Sequence, residues 1–258
     1  MSASQVGYKL SFKYVMNNGS VRTGSEFRAL LAEALKVNES NDYQFLFNYG
    51  EDKCPLHAVT QFKFGVNQLL SIGEQASEWL SHNMFKICAA LKAHIGSEVI
   101  LSLASQYISC DRMSDGFKTY TATNMVIIKH ARQAQAFLKM GEADKKEFVN
   151  NKLRGALDRQ CNAYGLSMDV NAFFVTRLSD DTCPILIKRG KRGQPYWGLA
   201  IKRVTFIAPY HLTGAWSAGL LASRGCGNIN FYRPQLNEPS ATVSTQDAAS
   251  MLEALGVD

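Results

Sequence analysis

The sequence predicts an α+β protein of two tandem ferredoxin-like (RRM-like) domains, with a helical insertion and a C-terminal glycine-rich loop. Three observations predict it. Strand-type alternation and helix-type periodicity succeed one another as strand–helix–strand units in both halves, and β-α-β-β-α-β domains are the economical way to arrange such units. At 258 residues, 46% hydrophobic and 19% charged, the chain can bury one large core or two small ones. Glycines also gather in one late stretch, residues 214–231, framed by β-type sequence.

Taken in order, residues 6–16 alternate with Tyr8, Leu10, Phe12 and Tyr14 on one side, and Asn17-Asn18-Gly19 ends them as a turn. A capping box from Thr23 to Glu26 opens a helix over residues 25–37, with Phe27, Leu30, Leu31, Ala34 and Leu35 on one face. Residues 43–49 and 57–66 read as strands around a loop at 50–55, and residues 74–93 as a helix carrying Trp79, Leu80, Phe85, Ile87 and Leu91. Strands at 98–109 and 119–129 follow, then helices at 131–138 and 143–164 broken at Gly141. Residues 170–178, 185–187 and 197–208 read as strands, with a basic hairpin tip at 188–195. A short helix at 244–255 closes the chain. The division falls into residues 1–117, 118–236 and a tail, 237–258, with a second candidate break near Lys129.

Composition excludes several classes. The six cysteines are scattered without a Cys-x-x-Cys pair, so neither a zinc site nor a disulfide framework is signalled. The first residues hold no apolar run of the signal-peptide kind, and no apolar stretch approaches membrane-spanning length, so a cytoplasmic protein without membrane partners is expected. No nucleotide-binding Gly-x-Gly-x-x-Gly, P-loop or Gly-x-Ser-x-Gly elbow is present, which argues against a metabolic enzyme.

Charge is the strongest functional signal. The chain is net +6, yet residues 182–237 carry eight Lys and Arg and no Asp or Glu, leaving the rest net negative. Four of these cations, Lys188, Arg189, Lys191 and Arg192, crowd one turn, where mutual repulsion is relieved by phosphate. Lys202, Arg203, Arg224 and Arg233 complete the set. In the helix at 143–164, Lys145, Lys152 and Arg159 recur every seven residues as a stripe that suits a duplex backbone or, equally, a solvated face. The loop sets Gly214, Gly219, Gly225 and Gly227 around Arg224, a pattern suited to backbone amides lying against a polyanion. Tyr196, Trp197 and Tyr232 stand near these cations as stacking candidates or as core.

The run from Gly219 to Gly227, Gly-Leu-Leu-Ala-Ser-Arg-Gly-Cys-Gly, followed by an apolar strand, resembles the glycine-rich signature of the CRISPR repeat-associated RNA-binding (RAMP) superfamily. Within it, the chain is most similar to the CRISPR-RNA-processing endoribonucleases. The helix with Asn151, Leu153 and a closing Tyr164-Gly165, and the lead-in strand 204–208, are also similar to that family. The helical pair at 131–164 and the small size resemble an outlying branch, the type IV systems.

The resemblance implies a metal-independent, cofactor-free endoribonuclease that binds a repeat hairpin in precursor CRISPR RNA and cuts 3′ of its stem. The RNA 2′-hydroxyl would be the nucleophile, leaving a 2′,3′-cyclic phosphate, and the product would stay bound for a surveillance complex with other CRISPR subunits. It implies backbone binding by Gly219, Arg224, Gly225 and Gly227 with Arg233, and phosphate stabilisation by Arg22 and Arg28, which flank the first helix. The family's histidine belongs to the first helix or the loop after it. Residues 25–37 contain none, so among His57, His82, His94, His130 and His211 the nearest substitute is His57 as proton carrier. That gap leaves two alternatives, a non-cleaving subunit of the same superfamily and a generic RNA-binding module.

Overall fold

Alternation places Leu10 and Phe12 of the first strand, β1 (Ser4–Tyr14), on one face, where both are buried. The computed structural model describes residues 4–14, 24–37, 43–47, 62–189 and 194–232. Helix α1 (Gly24–Ala34) follows, then a single helical turn, α2 (Gln44–Phe47), and the hairpin β2 (Phe62–Gly65) and β3 (Gln68–Ser71). Helix α3 (Glu74–Ile95) leads to the long β4 (Val99–Arg112). The sheet is antiparallel in the order β2-β3-β1-β4, and α1, α2 and α3 bury Phe27, Leu31, Leu46, Leu80 and Leu91 with Leu10, Phe12, Phe62 and Phe64 in one core.

The second sheet starts at β5 (Lys118–Ile128). Helices α4 (Ala131–Leu138) and α5 (Glu142–Tyr164) come next, followed by β6 (Phe174–Leu178), β7 (Thr182–Arg189) and β8 (Pro195–Ala208). A short β9 (Tyr210–Thr213) leaves this sheet to pair with β4 at Ser109–Arg112, joining the two halves, and β10 (Asn228–Phe231) returns to β5. The order is β10-β5-β8-β6, with β7 paired to the earlier part of β8. Helix α5 lays Val149, Leu153, Leu157 and Cys161 on this sheet, the i, i+4, i+8, i+12 face expected of an amphipathic helix. Among the described residues no helix is long and apolar enough to cross a membrane.

Four local expectations change. Of the strand expected at 43–49, the described residues 43–47 hold a helical turn instead, Gln44–Phe47. Leu46 and Phe47 are adjacent and both buried in the first core, which this helical turn packs from one side. The strand expected at 57–66 is seen over Phe62–Gly65, and Val66-Asn67 turns it into an unforeseen β3, with Asn67 at φ 48°. The strand expected from residue 170 begins at Phe174, because Asp169 accepts from the Asn171 amide at 2.9 Å and caps a 3-10 turn over Val170–Ala172. Finally, β9 was not foreseen. The tail helix expected at 244–255 lies outside the described residues.

Candidate nucleic-acid interface

The glycine-rich loop is the seam between the two halves. From the second sheet, the Leu220 amide donates to Val126 O at 2.8 Å and the Gly227 amide to Thr123 O at 2.8 Å. On the other side the loop rests on the first sheet and on the start of α1. The Ser25 hydroxyl donates to Arg224 O at 3.0 Å, and a Cβ at Gly225 would lie 2.4 Å from Phe64 O and 2.9 Å from the Gly24 Cα. With φ +76° at Gly225, the position excludes a side chain twice over. Gly219 and Gly227 run equally close to the backbone of Val126 and Ala218. The glycines expected to admit a phosphate chain are thus used, in the first instance, to admit the protein's own backbone.

Arg224, expected on the RNA backbone, turns inward: Nη1 donates to Leu186 O at 3.0 Å and Nη2 to Ile187 O at 2.8 Å. Because β7 and β8 form the hairpin that carries the basic turn, Arg224 fastens that hairpin to the loop. Arg224→Ala is expected to cost about 1–2 kcal/mol in urea unfolding, since two carbonyl acceptors lose a charged donor.

Above the loop lies a cleft of about 380 Å³. Its walls are Ile72 after β3, Lys129 after β5, Ala156, Arg159, Gln160 and Tyr164 of α5, and loop residues between Ala215 and Ser223. Among the described residues no acidic one lines it, and its exposed cations, Lys129 and Arg159, form no ion pair with a described residue. Tyr164 meets the buried Trp216 edge-on with centroids 6.1 Å apart, and the Trp216 Nε1 donates to Ser109 O and Thr213 O, both at 3.1 Å. Burial raises the Tyr164 hydroxyl well above the usual range, so it stays a neutral donor.

The floor of the cleft is Lys63, a residue the sequence reading did not single out. Strand alternation sends Phe62 and Phe64 into the first core and Lys63 to the opposite face, which the loop then covers, leaving Lys63 5% exposed. Its Nζ donates to Ala215 O at 3.2 Å, to Trp216 O at 3.4 Å and to the Ser217 hydroxyl. Burial lowers its pKa to about 7. Gln160 closes the far side, donating to Ala156 O at 2.8 Å and Ser217 O at 2.6 Å while its Oε1 accepts from the Ser217 amide at 3.0 Å.

The expected site residues are distributed unevenly. The heptad stripe of α5 splits: Arg159 faces the cleft, whereas Lys145 and Lys152 lie over the rings of Phe137 and Phe148, at 6.0 and 5.2 Å. Arg28 is half-buried, with Nη2 donating to Phe47 O at 3.1 Å and its guanidinium over the Phe47 and Phe64 rings at 5.1 and 5.8 Å. Lys188 and Arg189 end β7, opposite Tyr196 and Pro195. Arg22, His57, Lys191, Arg192 and Arg233 lie outside the described residues.

Comparison with known proteins agrees with this architecture. Residues 9–234 match the family model of the type IV CRISPR-associated endonuclease Csf5. A solved structure described as Csf5, a CRISPR-Cas type IV Cas6 crRNA endonuclease, is similar at a TM-score of 0.60 and 20% identity, over 88% of this chain and 100% of that one. Two solved Cas6b structures, one described as a CRISPR RNA processing endoribonuclease, are similar at TM-scores of 0.59 and 0.53, each with 15% identity over 90% of this chain and 100% of theirs. No match was found among curated proteins. The structural likenesses show the tandem ferredoxin-like fold, and the family model spans most of the chain: the protein belongs to the type IV CRISPR-associated endonuclease Csf5 family.

Proposed function

We propose that the protein is a metal-independent endoribonuclease that binds the repeat hairpin of precursor CRISPR RNA and cuts 3′ of the stem. The observation that carries this reading, beside family membership, is the docking of the α1 start onto Arg224 and Gly225 of the glycine-rich loop. It brings the start of α1, at Gly24 and Ser25, to the loop and its neighbouring cationic cleft. The nucleophile is the substrate's own 2′-hydroxyl, so the protein has three tasks: align that oxygen in line with the scissile phosphate, manage two protons, and stabilise the phosphorane. Arg22 and Arg28 are the candidates for charge stabilisation and His57 for proton transfer. A site relying on arginine, a poor base, is slow, and slowness is tolerable where each enzyme molecule retains its product as the guide of an effector complex with other subunits.

Lys129 and Arg159 are proposed to hold phosphates of the strand that crosses the cleft, and Gly219, Gly225 and Gly227 to pass it along the loop. The basic turn with Lys188, Arg189, Lys191 and Arg192, and Arg233 beyond the loop, would neutralise the stem. Arg159→Ala is expected to weaken hairpin binding and to lower the slope of log K against log salt by about one, as loss of a single phosphate contact does. Binding measured from low to moderate salt checks this, and an unchanged slope would remove Arg159 from the interface.

The reaction is tested by incubating end-labelled repeat hairpin with the protein in EDTA, beside the same RNA carrying a 2′-deoxy residue at the cut. Cleavage in EDTA that the deoxy residue abolishes, with a 2′,3′-cyclic phosphate end, is expected. Cleavage that requires added metal, or that survives the deoxy substitution, would overturn the mechanism.

A further inference from the structure

Lys63 is a buried cation that the proposed chemistry does not use. Its amine is presented by β2, yet every acceptor it reaches lies about 150 residues later, at Ala215, Trp216 and Ser217. An ammonium has three donors, and three oxygens receive them. Ser217 is in turn gripped from α5 by Gln160, through one amide donor and one acceptor, and its residual exposure is 2%. First sheet, loop and α5 are thereby clasped at one point in the cleft that Arg159 also lines. No other described contact fixes the loop from the first sheet with a charged side chain so fully enclosed. At 5% exposure the amine is sealed from substrate, so its influence on RNA passes through the backbone it holds.

We propose that Lys63 is a positioning residue for RNA cleavage: with Ser217 and Gln160 it sets the glycine-rich loop against α5, so that loop and cleft cations meet the RNA in cutting register. This rests on the endoribonuclease reading above. The clasp is satisfied in either protonation state: the ammonium donates to all three oxygens, and a neutral amine donates to the two carbonyls and accepts from the Ser217 hydroxyl. Among the described residues, the charged and titratable groups facing it are Lys129 after β5 and Arg159 and Tyr164 of α5, and none of the cleft's lining residues is a carboxylate that would compensate Lys63. From its own sheet, Lys9 of β1 shares the same face, across Leu70 of β3. Because burial disfavours the ammonium, an opened loop binds the proton more tightly than the closed clasp, and the clasp is expected to tighten as pH rises above neutrality.

The test compares full-length wild type, Lys63→Met and Ser217→Ala in three measurements on the repeat hairpin: affinity, single-turnover cleavage, and hydrogen exchange of amides in residues 214–227. Lys63→Met is expected to leave affinity near wild type, accelerate loop exchange, and slow cleavage on the order of 100-fold, the effect of misplacing reacting groups by about an ångström. Ser217→Ala keeps the amine and removes one acceptor; a loss of about tenfold or less is expected, the worth of one hydrogen bond. Raising pH from 6.5 to 8.5 is expected to slow loop exchange, once its intrinsic rise is divided out, in wild type and not in Lys63→Met. Wild-type cleavage and loop exchange in both variants would overturn the proposal, as would parallel loss of affinity and cleavage without any change in the loop's pH response. If Lys63→Met fails to fold, Ser217→Ala decides: unchanged exchange and cleavage overturn the proposal. A wild type that never cleaves defeats the endoribonuclease reading, whereas the exchange measurement still reports separately whether Lys63 holds the loop.

Discussion

Gly225→Ala is expected to lower stability by about 2–5 kcal/mol, the sum of roughly 1–2 for a non-glycine residue in the left-handed region and 1–3 for overpacking. The added Cβ has no route of escape. It would stand 2.4 Å from Phe64 O and 2.9 Å from the Gly24 Cα, both backbone atoms of elements packed into the first core. Relief requires the loop to lift from β2 and α1, breaking the Ser25 to Arg224 O hydrogen bond. Gly165 supplies the control: its φ is +64°, as unfavourable for alanine, but nothing lies within 4 Å of its virtual Cβ. Gly165→Ala should then show the conformational cost alone, about 1–2 kcal/mol. Urea unfolding of the two variants separates strain from collision. Equal losses would mean that the loop does not bear on the first sheet as described. Because the same collision opens the seam at the α1 start, Gly225→Ala should also depress cleavage more than Gly165→Ala does.

The legible parts of the fold are those where one face repeats long enough to be seen. Helices α3 and α5 each place an apolar residue every three or four positions over about five turns, and both were expected within a few residues of where they lie. The short elements were not. β3 and β9 have four residues each, too few for alternation to rise above chance, and each is fixed by a partner strand, β1 or β4, that sequence does not identify. The stretch from Tyr43 to Tyr49 reads as a strand, but the helical turn there stacks Phe47 on Phe64 and puts Leu46 into the same core, so tertiary packing overrides local pattern.

The candidate site shows a similar division. Clustering of cations and the glycine-rich run pointed to the right region, since the composition of one continuous stretch is visible without a fold. What that run does locally was less visible. Its glycines and Arg224 serve packing within the chain, because the stretch is also the seam between two sheets. The seven-residue stripe on α5 was seen as one surface, yet only its last member reaches the cleft, the first two being drawn over Phe137 and Phe148. Lys63 had no local signal at all. Between two phenylalanines on a strand it reads as an ordinary solvent-facing cation, and only a loop from the far half of the chain makes it buried.

That burial has a thermodynamic signature. With a pKa of about 7 in the folded state and an ordinary value of 10.5 when unfolded, Lys63 is neutral in the fold and protonated in the unfolded chain between those limits. The unfolded state then binds more protons, so stability rises with pH across the window and is least below 7. From pH 7 to 9 the gain is about 2 kcal/mol, at up to 1.4 per pH unit. Above 9 the sign reverses. Burial pushes the Cys161 thiol up to about 12 and raises Tyr164 and Tyr120, so the unfolded chain loses those protons first and the fold is penalised. Wild type is accordingly expected to be most stable near pH 9, an unusually alkaline optimum. Lys63→Met removes the rising limb and keeps the falling one, so its stability should be flat from pH 7 to 9 and decline beyond. Urea unfolding at intervals of half a pH unit distinguishes the curves. A rising limb that survives in Lys63→Met would assign it to another group and leave the Lys63 amine protonated throughout; its absence from wild type would mean that three oxygen acceptors compensate the ammonium fully for its burial.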